Sequence, residues 1–382
     1  MRKSFLPFSP PLIGEDEIAE VVDTLRSGWL TSGPKTELFE QRFAEFVGAP
    51  AALAVNSCTA ALHLALLTGD LGPGDEVITT PMTFVATVNV IEHVGARPVL
   101  VDVEPDTLNI AAARVADVVT ERTRAVLPVH YAGHPVDMDA IHAIAGEHSL
   151  AVIEDAAHAL CAKHRGRPIG SGNNLAAFSF YATKNLTTGE GGMLTGDAEA
   201  LERARALSLH GMSRDAWRRY DTSGNWYYEV EHPGFKYNMT EIQASIGLHQ
   251  LAKLAEFQRR RRAVVQRYDE AFSGLDCLEI PTTRPEMTNA HHLYVLRLRP
   301  EHTTIARDAL IDGLHARNIG TSVHFIPVHL HPYYRDKYGW RPEDFPVAID
   351  AYRRMLSLPL SPTLSERDVE DVIDAVERVL RS

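Results

Sequence analysis

Three short stretches carry side chains that could do chemistry together. The first, Leu150-Ala-Val-Ile-Glu-Asp155, is an apolar β-type run ending in carboxylates, followed by Ala156-Ala-His158. An acid at that place either caps the following turn or meets a ligand beyond the strand. The second, Ala177-Phe-Ser-Phe-Tyr-Ala-Thr-Lys184, alternates like a strand and runs into a lysine, with Gly189-Glu-Gly-Gly192 close behind. Lysines are usually solvated, but the adjoining glycines permit close approach of a ligand. The third, Asn56-Ser-Cys-Thr-Ala-Ala61, places small polar residues between a strand and an apolar helix. Free N–H groups and the positive dipole end there suit a phosphate, with simple N-capping as the alternative.

A phosphate cradle, a strand-end carboxylate and a strand-end lysine are the parts needed to hold pyridoxal 5′-phosphate (PLP). Lysine is the side chain whose amine becomes nucleophilic near neutral pH through burial and neighbouring charge, as Schiff-base chemistry requires. A carboxylate at Asp155 keeps a pyridine nitrogen protonated, so that the ring draws electrons from the carbon that loses a proton. Lys184, released when an amino acid binds, is then placed to move that proton.

These residues need a scaffold that gathers strand ends. Helical spacing of Ile18, Val21, Val22 and Leu25 before Gly28, and of Leu38, Phe39, Phe43 and Phe46 after Pro34, predicts two amphipathic helices. Alternation follows: strands over 51–55, 76–80, 98–101, 125–128 and 150–153, with helices over 59–68 and 84–94. This βαβ rhythm predicts a mostly parallel sheet with helices on both faces and ligands beyond the carboxyl ends of the strands. A long helix from Glu241 to about Phe272 bridges to a smaller α+β part with a strand near Leu293, a helix over 304–317 and another over 365–380. The expected division is a large α/β domain over 13–252, a small C-terminal domain over 253–382, and residues 1–12 as an arm. The basic run Arg259–Arg262 reads as a solvated helix face.

Composition narrows the function. The 382 residues carry 38 Lys and Arg against 50 Asp and Glu, a formal net charge of −12, which disfavours nucleic acid and anionic membranes as partners. Three widely spaced cysteines, Cys58, Cys161 and Cys277, fit no metal or disulfide pattern and suit a reducing, cytoplasmic setting. His130, His134, His142, His148, His324, His329 and His331 form no recognised ligand spacing, so no metal site is expected.

The ordered motifs go further. Gly28-Trp-Leu-Thr-Ser-Gly-Pro34, Asp75-Glu-Val-Ile-Thr-Thr-Pro-Met-Thr-Phe-Val-Ala-Thr87, Glu154-Asp-Ala-Ala-His-Ala159, Ser179-Phe-Tyr-Ala-Thr-Lys184, Gly189-Glu-Gly-Gly192, Gly234-Phe-Lys-Tyr-Asn-Met-Thr-Glu-Ile-Gln243, Val323-His-Phe-Ile-Pro-Val-His329 and Leu356-Ser-Leu-Pro-Leu360 span nearly the whole chain. In them the sequence resembles the DegT/DnrJ/StrS-type nucleotide-sugar aminotransferases, PLP enzymes of the aspartate aminotransferase fold (fold type I), and within that family the UDP-4-amino-4-deoxy-L-arabinose aminotransferase group. The resemblance implies that Lys184 forms the Schiff base with PLP, Asp155 bonds the pyridine nitrogen, His158 lies against the ring hydroxyl and Phe84 stacks on the ring, a position where other aromatics are common in the family. It implies that Thr59, Ala60 and Ser179 hold the phosphate, joined by Asn238 from the other subunit of a homodimer with shared sites.

The reaction implied is transfer of nitrogen from L-glutamate to C4 of a UDP- or dTDP-linked 4-keto sugar. C4 is favoured by His158 in Glu154-Asp-Ala-Ala-His158, where C3 enzymes usually carry Gln. Amination at C3, or a regulatory protein that binds PLP without turnover, are the alternatives; a dehydratase, in which histidine replaces the Schiff-base lysine, is disfavoured by Lys184. Substrate contacts are expected from Thr31, Ser32, Tyr131, Tyr237, His324 and His329. The polar stretch from Trp217 to Glu231 either covers the cleft or packs on the partner subunit.

Overall fold

The computed structural model describes residues 2–212 and 228–381. Two helices, α1 (Glu15–Ser27) and α2 (Pro34–Val47), precede β1 (Ala51–Val55); then come α3 (Cys58–Thr68), β2 (Glu76–Thr79), α4 (Val85–His93), β3 (Arg97–Leu100), β4 (Thr123–Val126), α5 (Met138–His148) and β5 (Ala151–Asp155). The two-residue strands β6 (Lys163–His164) and β7 (Arg167–Pro168) lead to β8 (Leu175–Ser179), β9 (Gly192–Gly196) and α6 (Ala198–Ser208). Past α7 (Glu241–Phe272) come β10 (Leu278–Glu279), β11 (Met287–Thr288), β12 (Tyr294–Leu298), α8 (Arg307–His315), α9 (Pro332–Tyr338), α10 (Pro346–Arg354), β13 (Met355–Leu358) and α11 (Glu366–Leu380).

Among the described residues the main sheet runs in the order β1-β9-β8-β5-β4-β2-β3. Every neighbouring pair is parallel except those made by β9, which is antiparallel to both β1 and β8. The carboxyl ends of six strands and the amino end of β9 therefore share one edge.

Apolar residues cover both faces of this sheet. On one, Phe39 and Phe43 of α2, Ile141 of α5 and Ala244 and Leu248 of α7 meet Phe178 and Phe180; Phe43 lies edge-on to Phe178 at 5.1 Å and to Phe180 at 5.5 Å. Truncating so enclosed a ring to alanine costs about 3–5 kcal/mol. On the other, α3 contributes Leu62, Leu64 and Leu66, α4 Val90 and Ile91, and α6 Leu201 and Ala204. Helix ends follow local chemistry: Thr240 and Gln243 form a capping box on α7, Ser365 and Asp368 another on α11, and Gly28 turns the chain out of α1 at φ 75°.

Helix α7 passes Lys253 unbroken, with Ala244, Leu248, Leu251 and Leu254 in the sheet's core and Val264, Val265, Tyr268 and Phe272 in a second core with β12, β13, α8 and α11. The N-terminal segment joins that second core through Leu6, whose N–H donates to Asn318 O at 2.8 Å. Among the interactions that tie the two parts, Asp102, beyond β3, accepts from the N–H groups of Val347 and Ala348 at 2.9 and 3.0 Å, capping α10.

Three features depart from the sequence reading. The alternation of 177–184 is strand only to Ser179, and Lys184 stands in the turn that follows, its N–H bonded to Tyr181 O at 2.9 Å. The stripe Ile18, Val22 and Leu25 is exposed, because α1 buries Glu17 and Thr24 instead. In the basic run, Arg259 and Arg260 are solvated and paired with Glu256, whereas Arg261 is buried and donates to Leu360 O at 3.0 Å.

Candidate active site

The shared sheet edge encloses a cavity of about 500 Å³. Thr59, Phe84, Asp155, His158, Ser179, Lys184 and His324 all line it, together with Ser57, Cys58, Thr87, Glu190, Gly191, His292 and Phe325. Most come from the ends of β1, β2, β5 and β8 or the turns beyond them, as ligand sites in such sheets do, whereas His292, His324 and Phe325 come from the C-terminal part of the chain.

The cradle at the start of α3 is capped by Ser57, whose Oγ accepts the Ala60 N–H at 3.1 Å. Ala60 is thereby engaged within the helix and does not reach the cavity wall; Ser57, Cys58 and Thr59 do. Gly192 makes this possible. A Cβ there would stand 2.5 Å from the Ser57 carbonyl carbon and 2.6 Å from Cys58 N, so only glycine lets β9 run this close under the turn.

Asp155 closes β5. Its Oδ2 accepts from the Thr87 hydroxyl at 2.7 Å and its Oδ1 from the Ala157 N–H at 3.1 Å. Thr87 Oγ1 lies 2.7 Å from Thr83 Oγ1; since Thr87 donates to the carboxylate, Thr83 donates to Thr87. Burial pushes the Asp155 pKa up, against the pull of Thr87, Ala157 and Lys184 toward the charged form. Lys184, enclosed by the same wall, has its pKa brought down by burial to about 8, with Asp155 and Cys58 acting in the opposite sense. An amine with that value has a neutral fraction of roughly a fifth near pH 7.4, far more than an ordinary lysine.

His158 Nδ1 accepts from the Ala132 N–H at 3.3 Å, so in the neutral ring the proton sits on Nε2. Burial and the nearby Lys184 hold its pKa well below the usual imidazole range. Phe84 begins α4, is largely exposed, and faces Phe325 with ring centroids 5.9 Å apart. His324 is held through Nδ1 by Ser357 Oγ at 2.9 Å.

The other expected contacts lie off this wall in the chain itself. Tyr131 is buried and donates to the carbonyl of His324. Tyr237 meets His63 Nδ1 at 3.1 Å and stacks on Phe235. His329 is buried against Phe345. Asn238 Nδ2 donates to Ser32 Oγ at 2.9 Å, and Thr31 is exposed beside it. Of the stretch from Trp217 to Glu231, residues 217–227 lie outside those described.

Sequence reasoning passed over Thr83, Thr87, His292 and Phe325. Thr83 and Thr87 carry a signal, two hydroxyls four apart across a helix start; His292, inside His291-His292, carries none.

A lysine amine of lowered pKa beside a buried carboxylate, under a helix-end anion cradle, equips an enzyme for amine transfer through a carbonyl cofactor. The DegT/DnrJ/EryC1/StrS aminotransferase family matches residues 11–377, and the chain belongs to it. The Bacillus subtilis (strain 168) spore coat polysaccharide biosynthesis protein SpsC is 54% identical over 382 residues, covering 100% of this chain and 98% of that protein. Among solved structures, the PMP form of the putative sugar aminotransferase Spr1654 from Streptococcus pneumoniae is 36% identical with a TM-score of 0.92, over 98% of this chain and 99% of that one. Helicobacter pylori PseC, an aminotransferase involved in pseudoaminic acid biosynthesis, is 29% identical with a TM-score of 0.91, over 99% and 100%. The expected fold-type I architecture is thus met: the mostly parallel sheet and its covering helices are those of known sugar aminotransferases.

Proposed function

We propose that the protein, a PLP-dependent sugar aminotransferase, transfers an amino group from L-glutamate to C4 of a UDP- or dTDP-linked 4-keto sugar. The observation that carries this is the convergence of Lys184 and Asp155 on one cavity whose mouth is walled by an α3 N-terminus. The wall fits the cofactor: backbone N–H groups and hydroxyls of Ser57, Thr59 and Ser179 for its phosphate, Asp155 for its ring nitrogen, Phe84 for its face, Nε2–H of His158 for its hydroxyl, and Lys184 for its carbonyl carbon. Bound PLP supplies the electron-accepting ring that makes the departing Cα proton acidic.

The chain's residues do the rest. Lys184 would hold the cofactor at its carbonyl carbon through the neutral fraction of its amine and, freed by the amino donor, would carry a proton between the donor's Cα and the cofactor's C4′. Asp155 holds the ring-nitrogen proton, and Thr87 and Ala157 keep its two oxygens directed as acceptors. The rings of Phe84 and Phe325 form the aromatic part of the wall.

C4 rests on the Glu154-Asp-Ala-Ala-His158 segment and its likeness to the 4-amino-arabinose group. A role in polysaccharide biosynthesis is supported by the relation to SpsC. The working form is a homodimer acting in the cytoplasm, in which Asn238 of each subunit completes the other's phosphate site. Supporting this, Asn238 is off the cavity wall of its own chain, and Ile18, Val22, Leu25, Trp29, Leu30, Leu38 and Phe46 are exposed apolar groups calling for cover. The test is a screen of UDP- and dTDP-linked 4-keto and 3-keto sugars with L-glutamate, the product read by NMR: a 4-amine is expected, and a 3-amine refutes the C4 assignment. Mixing inactive Lys184→Ala and Asn238→Ala proteins restores part of the activity if sites are shared; no recovery despite demonstrated subunit exchange refutes sharing.

A further inference from the structure

Beyond the residues of the cavity wall that meet the cofactor, a chain of hydrogen bonds links the turn carrying Lys184 to the ring of His158, and its middle is His292. Asn185, next to Lys184 and buried, donates through Nδ2 to Ala290 O at 2.8 Å. Its Oδ1 is thereby turned toward His292 Nδ1, 3.1 Å away, so His292 is the donor and carries its proton on Nδ1. The His292 N–H donates to Ala132 O at 3.1 Å, and the N–H of that same Ala132 donates to His158 Nδ1 at 3.3 Å. The His292 ring then lies on the His158 ring, centroids 4.3 Å apart at 38°.

This linkage is built under constraint. Ala132 adopts φ 56° and ψ 5°, the left-handed region disfavoured for a residue with a Cβ. Beside it Gly133 has φ 98°, and a Cβ there would meet Asn289 Oδ1, His291 N and His292 N, each at 3.0 Å. From behind, Gln258 of α7 donates to Ala290 O at 3.0 Å. Five separate segments are thus fixed to one another at the point where Lys184 and His158 must keep their relation, and the strain is held by that packing.

Resting on the proposed function, we infer that His292 is a positioning residue of the amine-transfer reaction: its Nδ1–H fixes the Lys184 turn through Asn185, and its ring holds His158 neutral and oriented with Nε2–H toward the cofactor. The charged and titratable groups facing this pair are Lys184 from the turn after β8, Arg261 from α7 and His324 from the segment after α8; all disfavour a proton on the imidazoles, as does burial.

Two variants separate the two roles. His292→Leu keeps a similar volume but removes the donor to Asn185; His292→Asn keeps a donor near the Nδ1 position but removes the ring over His158. PLP affinity by equilibrium dialysis, the pH titration of the bound cofactor's absorbance, and melting temperature are measured on each holoenzyme. The leucine variant is expected to bind PLP about tenfold more weakly, since a small displacement of a reacting group is felt strongly. The asparagine variant is expected to recover most of that affinity, yet to titrate about one pH unit lower, because a His158 free to take a proton adds positive charge beside the cofactor. Wild-type titration in the asparagine variant, or losses in both variants that merely track melting temperature, overturns the inference; that variant decides alone if the leucine protein does not fold. Wild-type protein in which borohydride fails to fix cofactor on Lys184 refutes the underlying function instead.

Discussion

The cavity edge of the main sheet and the outer surface of α1 break the ordinary rule of burial in opposite directions. At the edge, Asp155, His158 and His292 are nearly inaccessible. On α1, Ile18, Val22 and Leu25 are open to solvent while Glu17 and Thr24 are inside, Glu17 with Lys253 Nζ at 2.8 Å and Gln250 Nε2 at 2.8 Å. The comparison teaches where to look for function. A buried charge persists when partners repay its desolvation, and at the edge part of that repayment is left to a ligand. An exposed apolar stripe persists when something covers it. The first region is built to be completed by a small molecule; the second is where the proposed subunit contact can be tested.

The largest effect comes from emptying the edge of its nucleophile. Lys184→Ala is expected to lower turnover by at least about 10⁴-fold, because nucleophile and proton carrier are lost together, while circular dichroism shows the fold unchanged. Retained turnover would mean another amine does the work. Asp155→Asn is expected to keep PLP and lose about 10²–10³-fold in kcat, since contacts to phosphate and carbonyl carbon survive and the charge opposite the ring nitrogen does not; near wild-type kcat would remove Asp155 from that role.

The edge also makes a pH prediction whose sign is fixed by burial. Lys184 in cofactor-free protein titrates near about 8, below an ordinary lysine. Only the neutral amine attacks, so the rate of PLP capture by apoenzyme rises with pH, levels off above about 8, and at pH 6 is about 100-fold below its plateau. Stopped-flow absorbance across pH checks this; a midpoint near that of free lysine would show that the amine is not desolvated. Thr87→Val is nearly isosteric and deprives Asp155 Oδ2 of its donor at 2.7 Å. Loss of one hydrogen bond to a charged group is worth about 1.5–3 kcal/mol, so kcat falls about 10- to 150-fold, with the melting temperature little changed.

How legible the two regions were differs for a physical reason. Strand positions and Asp155 were readable because a parallel strand buried on both faces is an unbroken apolar run, and a carboxylate at its end stands out. The turn bearing Lys184 looked like strand, since Phe178 and Phe180 are both core residues and keep the alternation going past Ser179. Arg261 looked solvated because nothing in four consecutive arginines says which one the helix turns inward; its acceptor, Leu360 O, is 99 residues away. His292 was invisible for the same reason, its partners Asn185 and His158 being joined to it only by the fold. On α1 the period was read correctly, and it carries no direction: periodicity shows that one face is apolar, not what covers it.

The smallest effect tests that last point. Leu25 is 53% exposed in the chain, so roughly half of its apolar surface is available to a partner. Fully burying a leucine side chain stabilises by about 1.5–3 kcal/mol, and half of that is about 1 kcal/mol, a factor of roughly five in a dissociation constant. Truncation to alanine at an exposed helix position leaves the subunit's own stability within about 0.5 kcal/mol, because no cavity opens and alanine favours the helix. Leu25→Ala is therefore expected to weaken self-association about fivefold in sedimentation equilibrium while urea unfolding of the dissociated subunit is unchanged. The same substitution at a fully enclosed leucine, Leu64 of α3, reverses the pattern: unfolding shifts by about 2–5 kcal/mol. If Leu25→Ala leaves association untouched, the apolar stripe of α1 is not part of the proposed subunit contact, and its exposure no longer supports the proposed dimer.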